Sequence, residues 1–136
     1  MNRMTSMFGL MALMGATSLF AQTTPVRATI PFDFRVGQRV MPAGSYTLTQ
    51  TSAALFLRKE DGTRASAISL TNPTYHSGAS NNAGLEFNRY GSVYFLSKLW
   101  GADPSYGREL VKTAQERELA KRAKSVETAG IPLKAK

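Results

Sequence analysis

Residues 55–70, LFLRKEDGTRASAISL, predict a β-hairpin at the centre of the chain. Asp61 and Gly62 lie between two runs of β-forming residues, and Asp-Gly in that setting is the strongest short-range hairpin signal. The apolar residues that share a face on each arm are Leu55 and Leu57 on the first, and Ile68 and Leu70 on the second. This alternation is the pattern of half-buried strands, so the stretch favours a β fold.

Further strand patterns lie on both sides of this hairpin. Alternating apolar residues or turn-flanked apolar runs occupy 30–34, 46–49, 85–89, 93–100 and 108–111. Six to seven strands with frequent turns predict an all-β domain over residues 22–112, either an antiparallel sandwich or a small open barrel.

A basic amphipathic helix is predicted over residues 113–125. Thr113 and Glu116 form a capping-box pattern, in which each side chain caps the backbone N–H of the other residue. The apolar stripe that follows is thin, so we expect a peripheral C-terminal helix. Residues 126–136 are predicted to be a flexible tail.

The first 21 residues, MNRMTSMFGLMALMGATSLFA, predict a cleavable signal peptide. Arg3 supplies the N-terminal positive charge, Met7–Ala16 is apolar or glycine, and Ala21 is the small residue that precedes a signal-peptidase cut. The apolar run is about half of the roughly 20 residues that a membrane-spanning helix needs. We therefore expect cleavage after Ala21, and export to the periplasm or the extracellular space without a transmembrane segment.

The chain carries a formal net charge of +8 and has no cysteine. The lack of cysteine excludes disulfides, thiol nucleophiles and cysteine-type zinc sites. The positive charge favours anionic surfaces, and the candidate contacts on the predicted helix are Arg117, Lys121, Arg122 and Lys124. Because export makes nucleic acid a poor partner, we expect a protein or an anionic envelope component instead.

Residues that could carry catalysis are few and scattered. His76 is the only histidine, and its nearest acidic residue in sequence is Glu86. No nucleophile elbow is present, and paired carboxylates for hydrolysis would have to come from residues such as Asp33 and Glu86. The sequence also lacks a phosphate-binding glycine loop and a set of convergent metal ligands. It therefore predicts no enzyme, no cofactor and no metal site.

Four stretches together carry a resemblance to other proteins: IPFDFRVGQRVMPAGSYTL at 30–48, LRKEDG at 57–62, LEFNRYGSVYFLSKLW at 85–100 and GRELVKTAQERELAKRA at 107–123. They resemble a group of small exported soil-bacterial proteins of unassigned function. The resemblance covers nearly all of the mature chain and implies export and a shared β scaffold. It implies no catalytic or binding residue.

Three functions remain open from the sequence. The first is a non-catalytic exported β domain that serves as an envelope or extracellular interaction or structural protein. The second is a carrier of a small apolar ligand, with a barrel pocket lined by Phe32, Phe87, Phe95 and Trp100. The third is a hydrolase, which requires Asp33, Glu86 or His76 to converge in one cleft.

Overall fold

The computed structural model describes residues 25–62, 65–75, 83–101 and 106–135. Within them the chain forms eleven strands and one helix. The strands are β1 (Val26–Ile30), β2 (Phe34–Val36), β3 (Arg39–Met41), β4 (Gly44–Gln50), β5 (Ala54–Lys59), β6 (Ser66–Tyr75), β7 (Gly84–Tyr90), β8 (Val93–Trp100), β9 (Tyr106–Leu110), β10 (Glu127–Pro132) and β11 (Lys134–Ala135). The helix, α1 (Ala114–Arg122), lies between β9 and β10 in the chain.

Most strands follow one path in the order β10-β7-β8-β9-β6-β5-β4-β1-β11, and every neighbouring pair on it is antiparallel. The β2–β3 hairpin joins this path through one parallel bridge, Arg35 with Phe95. Strand β6 connects two sheets, because Ser66–Leu70 pairs with β5 and Thr71–Tyr75 pairs with β9. The predicted all-β fold with one helix is confirmed, and the sheet is not closed into a barrel. The predicted strand number was too low, since β2, β3, β10 and β11 are short or weakly patterned.

The central hairpin forms as predicted. Strands β5 and β6 pair antiparallel, with Leu57 opposite Ala67, and Lys59 N–H donates to Ala65 O at 2.9 Å. Gly62 has a φ of 83°, a left-handed conformation that glycine adopts without steric cost. The glycine of the Asp-Gly pair therefore occupies a turn position that requires a left-handed backbone conformation.

The core is built from one face of most strands. Its fully buried large side chains are Ile30, Phe34, Met41, Tyr46, Leu48, Leu55, Leu57, Leu85, Phe87 and Phe95. The ring of Phe34 packs edge-to-face against Tyr46, with centroids 5.3 Å apart, and against Phe87 at 5.5 Å. Without cysteine to form disulfides, this apolar and aromatic packing is the main stabilising contribution.

The predicted flexible tail is wrong for the described part of residues 126–136. Strand β10 pairs with β7 over its whole length, from Glu127 opposite Arg89 to Pro132 opposite Gly84, and β11 pairs with the start of β1. Ala129, Ile131 and Leu133 alternate along this segment and pack against the core. The period of two was present in the sequence, but the residues between are Gly130 and Pro132, which are unfavourable in strands, and the partner strand lies about forty residues earlier.

The predicted helix is confirmed in type and in its start, but it ends at Arg122 rather than at residue 125. Thr113 is its N-cap and accepts a hydrogen bond from Glu116 N–H at 3.2 Å. Glu116 does not complete the predicted capping box, because its carboxylate faces the sheet and accepts from Tyr90 and Asn88. It is the only buried residue of α1, so the helix is peripheral.

No helix in the described part of the chain is long and apolar enough to span a membrane. The predicted signal peptide, residues 1–21, lies outside the described residues, and so does His76.

Candidate docking surface

Large apolar side chains lie exposed on the outer face of β5 and β6. Phe56 is 42 % exposed, Ile68 is 61 % exposed and Leu70 is 66 % exposed. Phe56 lies directly opposite Ile68 in the β5–β6 pair, and Leu70 is two positions further along β6. Because strand side chains alternate, burial of Leu55 and Leu57 places Phe56 on the solvent side. These three residues form an apolar row on a sheet face that solvent reaches.

An open groove of about 1450 Å³ runs across this outer face. We call it the sheet groove. Its lining includes Arg27, Arg39, Thr47, Phe56, Arg58, Glu60, Ser66 and Ile68. The groove therefore combines exposed apolar surface with three guanidinium groups.

The guanidinium groups differ in whether an acid neutralises them. Arg27 Nε donates to Glu60 Oε1 at 2.9 Å, and Thr47 Oγ1 donates to the same oxygen at 2.8 Å. Among the described residues, neither Arg39 nor Arg58 forms an ion pair or a side-chain hydrogen bond. Both are exposed, so the sheet groove presents two cations without acidic partners.

The alternating sequence pattern did not indicate this surface. It grouped Ile68 and Leu70 on one face correctly, but an alternating pattern does not say which face meets solvent. On β6 the inward positions are the small or polar residues Ala67 and Thr71, which are buried while their larger neighbours are exposed. This inversion, with small residues inside and large ones outside, is the signal that marks the face.

The four predicted contacts on the helix, Arg117, Lys121, Arg122 and Lys124, are all exposed. Lys121 Nζ lies 3.8 Å from Glu118 Oε1, a solvent-exposed pair of small energetic value. The exposed side of α1 carries no large apolar residue. The helix thus offers charge alone, whereas the sheet groove offers charge beside apolar surface.

The candidate catalytic residues are engaged in separate structural contacts. Asp33 Oδ1 accepts from Ala43 N–H at 2.9 Å, at the β3–β4 turn. Glu86 Oε2 accepts from Trp100 Nε1 at 3.1 Å, and its other oxygen lies 4.0 Å from Lys98 Nζ. Among these contacts the two acids share no partner. Within the described ranges, no group of three or more His, Cys, Asp and Glu could hold a metal.

Three of the aromatic residues predicted to line a ligand pocket pack against other protein groups. Phe87 is fully buried and contacts Phe32 edge-on, with ring centroids 5.0 Å apart. Phe95 packs against Tyr90 at 5.8 Å. Trp100 covers Gly107, where an added Cβ would lie 2.5 Å from its ring. Each of these three rings therefore has a protein neighbour in direct contact.

Two charged side chains, Glu116 and Arg108, are buried with defined partners. Glu116, 4 % exposed, accepts from Tyr90 Oη at 2.9 Å and from Asn88 Nδ2 at 3.3 Å, which anchors α1 to β7. Arg108, 6 % exposed, donates to Thr71 Oγ1 at 3.0 Å, Thr71 O at 2.9 Å and Ser52 O at 2.6 Å. Arg108 thus ties β9 and β6 to the β4–β5 turn.

Burial raises the pKa of both Tyr46 and Tyr90 to about 12. For Tyr90, the hydrogen bond to Glu116 and the charge of that carboxylate act in the same direction. For Tyr46, the negative charges of Asp61 and Asp33 add to the effect of burial. Both hydroxyls therefore act as structural donors in the folded chain rather than as acids.

Comparisons with protein-family models, with curated proteins and with solved structures found no match to this chain.

Proposed function

We propose that this chain is a non-catalytic exported β domain that binds an acidic partner protein through the sheet groove. The observation that carries the proposal is the apolar row Phe56, Ile68 and Leu70 beside two guanidinium groups, Arg39 and Arg58, that no described acid neutralises. Contiguous exposed apolar surface with a polar border is typical of interaction sites.

The residue types favour a protein as partner. Aromatic residues and arginine are enriched at protein interfaces, and arginine binds carboxylates through two parallel hydrogen bonds. A purely electrostatic contact would not need Phe56 or Ile68 exposed, and their exposure costs solvation free energy that only a partner with apolar groups recovers. A partner with carboxylates beside apolar side chains complements both features of the groove.

The separate engagement of Asp33 and Glu86 supports a binding role rather than hydrolysis. The packed aromatic core likewise gives the ligand-carrier hypothesis no specific support.

Binding is tested with the mature chain, residues 22–136, and a fluorescein-labelled peptide of about eight residues in which Glu alternates with Val. Fluorescence anisotropy measures its affinity for the unaltered chain and for the double variant Arg39→Gln/Arg58→Gln. We expect the double variant to bind at least about tenfold more weakly, because two charge-assisted contacts are lost. A peptide with Lys in place of Glu should not bind.

The matched control is Arg117→Gln/Lys121→Gln, which removes the same charge from the exposed side of α1. We expect its affinity for the Glu peptide to stay within about twofold of the unaltered chain, since neither side chain lines the sheet groove and exposed charges are screened by salt. If the helix variant loses affinity and the groove variant keeps it, the contact surface is α1 and the proposal for the groove is wrong.

Export rests on the signal-peptide pattern of residues 1–21. Expression of the full chain in a bacterial host, followed by mass spectrometry of the periplasm and the medium, should find protein that begins at Gln22. Recovery of full-length protein from the cytoplasm alone would contradict this part of the proposal.

A further inference from the structure

We propose that Glu60 determines which acidic partners the sheet groove accepts. Its carboxylate occupies Arg27, so the carboxylates of the partner bind Arg39 and Arg58 instead. This inference rests on the proposed function and specifies which acidic partners the groove selects. Arg27 Nε lies 2.9 Å from Glu60 Oε1, whereas Arg39 and Arg58 form no ion pair with a described residue.

The backbone and the side chain of Glu60 are both held at the sheet. Glu60 N–H donates to Ser45 O at 3.0 Å, which keeps the residue beside β4. Its Oε1 atom accepts from Arg27 Nε at 2.9 Å and from Thr47 Oγ1 at 2.8 Å. The side chain of Glu60 is 20 % exposed, and that of Arg27 is 47 % exposed. A partner carboxylate that approaches Arg27 therefore meets a carboxylate already in place, and like charges brought together at an interface are unfavourable.

The register of the sheet places Arg27 and Arg58 in one row across the outer face. Thr47 lies opposite Arg27 in the β1–β4 pair and opposite Arg58 in the β4–β5 pair. All three residues line the sheet groove. Adjacent strands are about 4.8 Å apart, so the two arginines lie about 10 Å apart along this row. Glu60 thus neutralises one end of the row, and the guanidinium group at the other end keeps its charge for a partner.

Arg58 is the arginine of this row that lies beside the exposed apolar side chains. Phe56 is two residues before it on β5, so the two side chains share a face and lie about 7 Å apart. Ile68 lies opposite Phe56 on β6, whereas Arg27 is three strands away from β6, about 14 Å across the sheet. A carboxylate bound at Arg58 therefore brings its apolar neighbours onto Phe56 and Ile68. Glu60 selects partners in which acidic and apolar side chains are adjacent, and disfavours partners that offer charge alone.

The test measures which arginine contacts a carboxylate of the partner. Each Glu of the labelled Glu-Val peptide is replaced by Gln in turn, and anisotropy gives the affinity of every peptide for the unaltered chain, Arg27→Gln and Arg58→Gln. A double-mutant cycle then gives the coupling between one peptide carboxylate and one arginine. We expect Arg58 to couple at least about threefold with one Glu, as a charge-assisted contact does, and Arg27 to couple less than about 1.5-fold with every Glu.

The cycles for Arg27 are then repeated in the Glu60→Gln background. Arg27 should now couple at least about threefold with one peptide Glu, because its guanidinium group is released. The matched control is Glu127→Gln, which removes the carboxylate of another exposed arginine–glutamate pair, 3.2 Å from Arg89 Nη1. Neither Arg89 nor Glu127 lines the sheet groove, so Arg27 should stay uncoupled in this background.

The outcomes distinguish this inference from the proposed function. Coupling of Arg27 with a peptide Glu in the unaltered chain would show that the partner displaces Glu60, so the inference would be wrong while the groove function stands. Absence of coupling in the Glu60→Gln background would also overturn it, since something other than Glu60 would then keep the peptide from Arg27. If the unaltered chain binds no Glu-Val peptide, the groove function itself is wrong and the inference fails with it.

Discussion

Alkaline pH should destabilise the fold through two buried tyrosines. Burial raises the pKa of Tyr46 and of Tyr90 to about 12, from an ordinary value near 10. Tyr46 is fully buried and Tyr90 is nearly so, and each hydroxyl donates to a protein acceptor, Pro42 O and Glu116 respectively. Ionisation would remove the donated proton and place a phenolate in the core.

The sign and the size of the effect follow from linkage. Between about pH 10 and pH 12 an unfolded tyrosine loses its proton while the folded one keeps it, so the unfolded state binds fewer protons and stability falls as pH rises. A difference of about two in pKa corresponds to about 2–3 kcal/mol for each residue. The two together approach about 5 kcal/mol, which is comparable with the whole stability of many domains of this size.

The assay is urea unfolding followed by circular dichroism from about pH 8 to about pH 12. Tyr90→Phe should remove about half of the alkaline loss, because one of the two titrating hydroxyls is gone. At about pH 8 the same variant should be less stable by about 1.5–3 kcal/mol, because the buried Glu116 carboxylate loses a donor. Tyr75→Phe, which removes an exposed hydroxyl, is the control for loss of a phenol as such.

Parallel pH profiles would refute this reasoning. If the unaltered chain and Tyr90→Phe lose the same free energy of unfolding between about pH 9 and pH 12, the Tyr90 hydroxyl does not carry the predicted share. A flat profile for the unaltered chain would contradict the argument for Tyr46 as well.

Three further predictions concern stability. Deletion of residues 127–136 should abolish cooperative thermal unfolding, measured by circular dichroism, because it removes the partner of β7 and uncovers the core. Gly107→Ala should cost about 2–4 kcal/mol in urea unfolding, since the new Cβ would meet the Trp100 ring and a backbone oxygen, whereas Gly130→Ala has open space and should be near neutral. Arg108→Met should cost about 2–4 kcal/mol by calorimetry, because it removes the donor to two buried oxygens of Thr71 and to Ser52 O.

Local signals in the sequence predicted the local parts of the fold. The Asp61–Gly62 turn and the Thr113 N-cap each depend on residues within a few positions, so the sequence contains all the information they need. The buried bond from Tyr90 to Glu116 spans 26 residues and joins a strand to a helix, and neither segment alone indicates it. The capping-box interpretation of Glu116 was wrong because the Glu116 carboxylate accepts a hydrogen bond from the distant Tyr90 hydroxyl and faces the sheet.

The tail shows the same limit in a longer segment. Residues 127–132 are half polar and contain Gly130 and Pro132, so their propensity is weak. They form a strand because the edge of β7 supplies backbone hydrogen-bond partners. Gly84 also allows β10 to lie close to β7, since a Cβ at that position would lie 2.8 Å from Ile131 O. Such a tertiary requirement is visible only once both strands are placed together.

The exposed apolar face of β5 and β6 could not be predicted from the sequence for a different reason. A pattern of period two fixes which residues share a face but not which face is buried. On β5 the larger residues Leu55 and Leu57 go inside, whereas on β6 Ala67 goes inside and Ile68 stays out. The hydrophobic effect alone would favour the opposite facing for β6. Departures from the burial of large apolar side chains that bring no gain in folding stability are expected at functional sites. The outward orientation of Ile68 and Leu70 therefore supports the proposal that a partner covers them.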